Sequence, residues 1–128
     1  MKVLLDTHLL IWAANSPKRI PVDTRKFITD ERNEIFFSVA SIWEVAIKRS
    51  LKRNNFDVDP RLLRRGLLDQ MYSELNINSQ HALQLLSLPP LHRDPFDRIL
   101  IAQATVEGIT LLTADPLITQ YPGPIQHA

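Results

Sequence analysis

Three short apolar runs decide most of what this chain can fold into. They are "KVLL" at the start, "EIFFSV" from Glu34 and "ITLLT" from Ile109. Each is too brief for a stable helix and is rich in the Val, Ile, Phe and Thr side chains that favour strands. None alternates strictly between apolar and polar positions, so each reads as a strand buried on both faces. Longer segments with helical spacing stand between them. Strands that alternate with helices in this way close into an α/β domain with a mostly parallel sheet. A chain of 128 residues is enough for one such domain over residues 1–128, with a single core.

The helical segments carry their own punctuation. "THLLIWAAN" stops at Ser16-Pro17, and a second helix runs from Pro21 to Asp30. Ser41 opens "SIWEVAIKRSLKR" with the Ser-x-x-Glu spacing of a capping box. Pro60 starts "PRLLRRGLLDQMYSE", with Gly66 as a weak point, and "SQHALQLLSL" ends at Pro89-Pro90. Asp94-Pro95 supplies the cap and first position of "PFDRILIAQATVEG", and Gly108 is its natural stop. "LNI" is a brief further strand, "DPLITQY" a helical turn and "PIQHA" a short tail.

Composition removes several classes of function. There are only three glycines, and neither G-x-G-x-x-G nor a Walker pattern occurs. With no cysteine there is no disulfide and no thiolate metal site, which suits a reducing compartment. No window is long and apolar enough for a bilayer, and Asp6 and His8 break the only stretch that resembles a secretory leader. The expected location is therefore cytoplasmic, with no membrane partner.

The acids carry the chemistry. In open α/β sheets, ligands bind beyond the carboxyl ends of the strands. Asp6 ends the first apolar run and Asp115 lies just past the last. Asp94 and Asp97 begin a helix, and Glu44 sits among Ile42, Trp43, Val45, Ala46 and Ile47. Each has a structural explanation: Asp6, Asp94 and Asp115 as helix or turn caps, Asp97 as a first-turn acid, and Glu44 as an i, i+4 partner of Lys48. Taken together they suggest one pocket. Two carboxylates ~4 Å apart repel by about 4 kcal/mol at an effective dielectric of 20, so a cluster of them needs a cation. Oxygen ligands without thiolates select Mg²⁺, or Mn²⁺, ahead of zinc. Thr7 and Thr113, beside these acids, suit either a carboxylate or local backbone groups.

The net charge is +1, from 15 Lys+Arg against 14 Asp+Glu, yet the cations are unevenly spread. Lys48, Arg49, Lys52, Arg53, Arg61, Arg64 and Arg65 fall close together. Such a run fits a solvated helix face, and equally a surface for a nucleic-acid backbone.

The blocks "LLDTHLLIW", "SVASIWEVAIK", "HRDPFDRILIAQA" and "LLTAD", in this order from Leu4 to Asp115, resemble the PIN-domain ribonucleases. The likeness is greatest to the VapC-type toxins of bacterial toxin–antitoxin pairs. It implies a PIN-like fold of three layers, α/β/α, with the mostly parallel sheet flanked by helices. It also implies Mg²⁺-dependent endonucleolytic hydrolysis of RNA, with Asp6, Glu44, Asp97 and Asp115 as metal-holding catalytic acids. Asp97, followed by "RILIAQA", matches the family's third acid; Asp94 is then a near-site residue or cap, alongside Thr7 and Thr113. Lys48, Arg49, Lys52, Arg53 and Arg98 are expected to guide RNA. The same resemblance implies a small VapB-like antitoxin that occupies the pocket, and a homodimer. The helices around Trp12 and Trp43 offer contacts for such partners, although core packing is the expectation for Trp43. The alternatives are a PIN module that binds RNA or protein without cutting, and another metal-dependent nuclease or phosphatase.

Overall fold

The computed structural model describes residues 1–52 and 56–128. Its sheet contains β1 (Lys2–Leu5), β2 (Glu34–Ser38), β3 (Ser73–Leu75), β4 (Thr110–Thr113) and β5 (Ile125–His127). The strand order is β3-β2-β1-β4-β5, and every pairing is parallel. β1 is central, with Leu4 opposite Phe36 on one side and Leu111 on the other. The chain winds outward from β1 to β2 and β3, then returns to its other side for β4 and β5. The gap between β1 and β4 is therefore the topological switch point, where adjoining loops diverge and leave a crevice.

The helices are α1 (Thr7–Asn15), α2 (Val22–Thr29), α3 (Val39–Ser50), α4 (Pro60–Asp69), α5 (Ser79–Gln84) and α6 (Pro95–Glu107). Alternation along β1 divides the core in two. Val3 and Leu5 face a cluster with Leu9, Leu10, Val45 and Leu67, from α1, α3 and α4. Leu4 faces the opposite cluster with Leu100, Ile101, Ala104 and Leu111, under α6. Full burial of such a side chain stabilises by roughly 1.5–3 kcal/mol, so both faces are firmly held. The arrangement is the expected three-layer α/β/α.

α6 follows its sequence signals. Asp94 Oδ1 accepts from the Phe96 and Asp97 amides at 2.8 and 3.3 Å, and Pro95 occupies the first turn. Gly108 ends the helix at φ 68°, a left-handed conformation that costs a residue with Cβ about 1 kcal/mol or more.

Other boundaries depart from the sequence reading. α3 begins at Val39, because the Ser38 hydroxyl accepts from the Ala40 amide at 3.0 Å; Ser41 lies inside the helix and opens no capping box. Ser38 also donates to the fully buried Gln103 at 2.6 Å, tying the start of α3 to α6. α4 stops at Asp69, leaving Ser73–Leu75 for β3 rather than a strand at "LNI". The supposed tail "PIQHA" contributes β5, paired with β4 from Leu111↔Ile125 to Thr113↔His127.

Candidate active site

Asp6 ends β1 and caps α1 at the switch point, and its buried carboxylate is surrounded by donors. Oδ1 accepts from the Leu9 amide at 2.9 Å. Oδ2 accepts from the Thr113 hydroxyl at 2.6 Å, at the end of β4, and from the Ala114 amide at 3.0 Å, just past it. The same Thr113 oxygen accepts from the Asp115 amide at 3.0 Å, while Asp115 Oδ1 caps the next turn through Leu117 N at 2.9 Å. Thr113 thus binds the ends of two neighbouring strands together and links the Asp115 backbone to Asp6.

Thr7 extends this network to α3. Its Oγ1 lies 2.8 Å from Glu44 Oε1 and 2.9 Å from Ser41 Oγ. With a single proton to give, Thr7 donates to the carboxylate and accepts from Ser41. Glu44 is buried, and its Oε2 takes a 2.7 Å ion pair from Lys48 one turn on. A carboxylate in this apolar stretch of α3 therefore has the partners that its desolvation demands.

The third part of the crevice is the start of α6. Asp97 Oδ2 lies 2.8 Å from His92 Nε2, and both side chains are largely buried. Burial, then the charge of Asp94, push the Asp97 carboxyl up to about 6; Glu44 adds to the rise and His92 opposes it. A buried acid repelled by two neighbouring acids is where a cation binds favourably.

The acids do not form one closed cage. Among the described residues, the trio whose possible ligand atoms lie within 4.8 Å of one another is His92, Asp94 and Asp97. Asp6 is linked to the Asp115 backbone through the Thr113 hydroxyl, and Glu44 is bonded to Thr7, the residue next to Asp6. Oxygen donors predominate, which fits a hard divalent ion such as Mg²⁺ or Mn²⁺.

The basic residues divide into different settings. Lys48 is committed to Glu44. Arg98 reaches the carbonyls of Leu85 and Leu88 at 3.5 and 3.4 Å, tying α6 to the segment before it. Arg49 and Lys52 line a groove with Arg61 and Arg64 between α3 and α4. Arg53 lies outside the described residues.

Trp43 is not core, contrary to the sequence expectation. It is 56% exposed and meets Phe96 edge-on at 5.0 Å between ring centroids. These aromatics directly precede Glu44 and Asp97 in the sequence, and their contact joins α3 to the start of α6. Trp12 is partly buried against the core, with the Arg19 guanidinium 4.8 Å above its ring. Sequence reasoning also missed Ser41, hidden in the assumed cap, and the pairing of His92 with Asp97, for which the short spacing within "HRDPFD" is the available signal.

A PIN-domain family model matches residues 3–123. Among solved structures, the chain is similar to VapBC2 from Rickettsia felis bound to a promoter DNA fragment, at 15% identity and a TM-score of 0.72. That match covers 99% of this chain and 98% of the other. DNA-bound VapBC from Salmonella typhimurium gives 16% identity and a TM-score of 0.69, with the same 99% and 98% coverage. No curated protein matches the sequence.

Proposed function

This chain belongs to the PIN-domain family, a family of nucleases, and on that premise we propose that it is a divalent-metal-dependent endoribonuclease acting as the toxin of a type II toxin–antitoxin pair. What supports this reading is the hydrogen-bond network at the β1–β4 switch point, in which Thr113 links Asp6 to the Asp115 backbone and Thr7 holds Glu44, with Asp97 grouped with His92 and Asp94 at the start of α6. The four acids are the proposed metal-holding residues, with Mg²⁺ as the ion and Mn²⁺ as its substitute. When bound, such an ion lowers the pKa of water and neutralises charge on a phosphodiester in its transition state.

The chain's own residues supply position. Thr113 and the Ala114 amide fix Asp6, Thr7 fixes Glu44, and His92 contacts Asp97. Arg49 and Lys52, together with Arg61 and Arg64, offer the RNA backbone a basic groove whose contribution weakens as salt rises. Exposed Trp43, packed against Phe96 at the start of α6, suits a segment of a VapB-like antitoxin; the two similar structures are VapBC complexes, which supports such a partner. A homodimer and a cytoplasmic location complete the proposal. Among the described residues, no helix is long and apolar enough to cross a membrane.

A second reading, a PIN module that binds RNA without cutting it, has one observation in its favour. Both Asp6 oxygens and both Glu44 oxygens already have partners within the protein. Incubating purified chain with an RNA pool, with and without Mg²⁺ and beside Asp6→Asn, separates the two. Cleavage that requires both the ion and Asp6 supports the ribonuclease. RNA retention without cleavage supports the binding module, and cleavage indifferent to both overturns the proposed mechanism.

A further inference from the structure

We propose that His92 is a positioning residue for the Asp97 carboxylate, and that the Tyr121 hydroxyl fixes His92 for this task. The inference rests on the reading of Asp97 as a metal-holding acid.

His92 lies on irregular backbone just before α6, where no helix or strand sets the direction of a side chain. Tyr121 supplies the missing constraint. Its hydroxyl accepts from the His92 amide at 2.7 Å and donates to the His92 carbonyl at 3.2 Å. A single group engaging both polar atoms of one peptide residue restrains its displacement along the chain and its rotation. Tyr121 is itself buried in the core beneath α6, so the restraint is anchored in the body of the fold.

The imidazole delivers this restraint to the crevice through the 2.8 Å contact between Nε2 and Asp97 Oδ2. With Nε2 carrying the proton, His92 donates to one carboxylate oxygen and leaves the other for an ion. Hydrogen bonds from neighbouring groups commonly orient metal-holding carboxylates, and their loss typically weakens metal affinity about 10–100-fold. The connection also has a topological effect. Tyr121 closes the 3-10 turn Ile118–Gln120 that follows Asp115, so its clasp ties the β4 side of the crevice to the α6 side. These segments are distant in sequence, and Asp97 and Asp115 belong to different ones.

The test is calorimetric titration of the full chain with Mn²⁺, comparing wild type with His92→Ala, His92→Gln and Tyr121→Phe, with thermal unfolding recorded for each. A Gln side chain can present an N–H near the position of Nε2. His92→Ala is expected to weaken Mn²⁺ binding about tenfold, His92→Gln to recover most of that loss, and Tyr121→Phe to weaken it several-fold. Unaltered affinity in His92→Ala, or a Gln variant no better than Ala, overturns the proposal; the latter result would fit His92 as a direct ligand. A Tyr121→Phe protein that loses stability but keeps wild-type affinity overturns the part assigned to Tyr121. Wild-type protein that takes up no Mn²⁺ brings down the functional reading as well, whereas normal wild-type uptake with unchanged variants removes this inference alone.

Discussion

The two sides of the crevice solve the problem of a buried carboxylate in opposite ways. On the β1–β4 side, Asp6 is wrapped by the Leu9 and Ala114 amides and the Thr113 hydroxyl. On the α6 side, Asp97 has one side-chain contact, to His92, and faces the charges of Asp94 and Glu44. The first carboxylate is part of the scaffold: it caps a helix and joins two strand ends. The second is held at an electrostatic cost that its own fold does not offset. The difference separates residues that shape the site from the residue whose charge most requires an ion.

This contrast is broken most forcefully at Asp6. Asp6→Ala strands buried donors on two backbone amides and a hydroxyl, each costing about 1–3 kcal/mol when unmet. The expected loss is about 3 kcal/mol or more, a large part of a small domain's stability, and urea unfolding measures it. Asp97→Asn is expected to act differently. RNA cleavage should fall to background while metal-free stability at pH 7 stays level or rises by up to about 2 kcal/mol, because a repelled charge has gone. A large destabilisation by Asp97→Asn would erase the distinction.

The same contrast predicts a pH dependence. The Asp97 carboxyl titrates near 6 in the folded chain against its ordinary value of 3.8. Between these values the unfolded chain binds fewer protons at this position than the folded one, so its contribution to stability falls as pH rises from about 4 to 6. Unfolding of metal-free wild type and Asp97→Asn at several pH values should show this decline in wild type alone, and saturating Mg²⁺ should reduce it. The smallest effect is expected far from the crevice. Arg64→Ala breaks a 2.7 Å pair with Glu74 in which the arginine side chain is half exposed and screened by solvent, so urea unfolding should show the smallest change of the series. If Arg64 belongs to the RNA groove, its loss should still flatten the salt dependence of RNA binding.

What the sequence revealed follows the same division. β1, β4 and α6 are legible because burial on both faces leaves continuous apolar runs, and because Asp94, Pro95 and Gly108 mark the helix ends. The acids at strand ends are legible through the rule for parallel sheets. β5 was hidden because an edge strand of "IQH" has neither the length nor the apolar continuity of the central ones. The start of α3 was misplaced because Ser38 and Ser41 both offer a hydroxyl, and only the fold decides which caps and which meets Thr7. Trp43 was misjudged because residue type favours burial, whereas its helix turns that position toward Phe96 and solvent. The Tyr121–His92–Asp97 connection depends on segments distant in the chain, which no local pattern encodes.

Crystals soaked in Mn²⁺ and measured for anomalous scattering test the common crevice most directly. The account predicts a peak at about 2.0–2.3 Å from an Asp97 oxygen, in the space shared with Asp6, Glu44 and Asp115, and its disappearance in Asp97→Asn. Well-diffracting, Mn²⁺-saturated crystals with no peak there, or with manganese held only by surface acids such as Asp30, would contradict it.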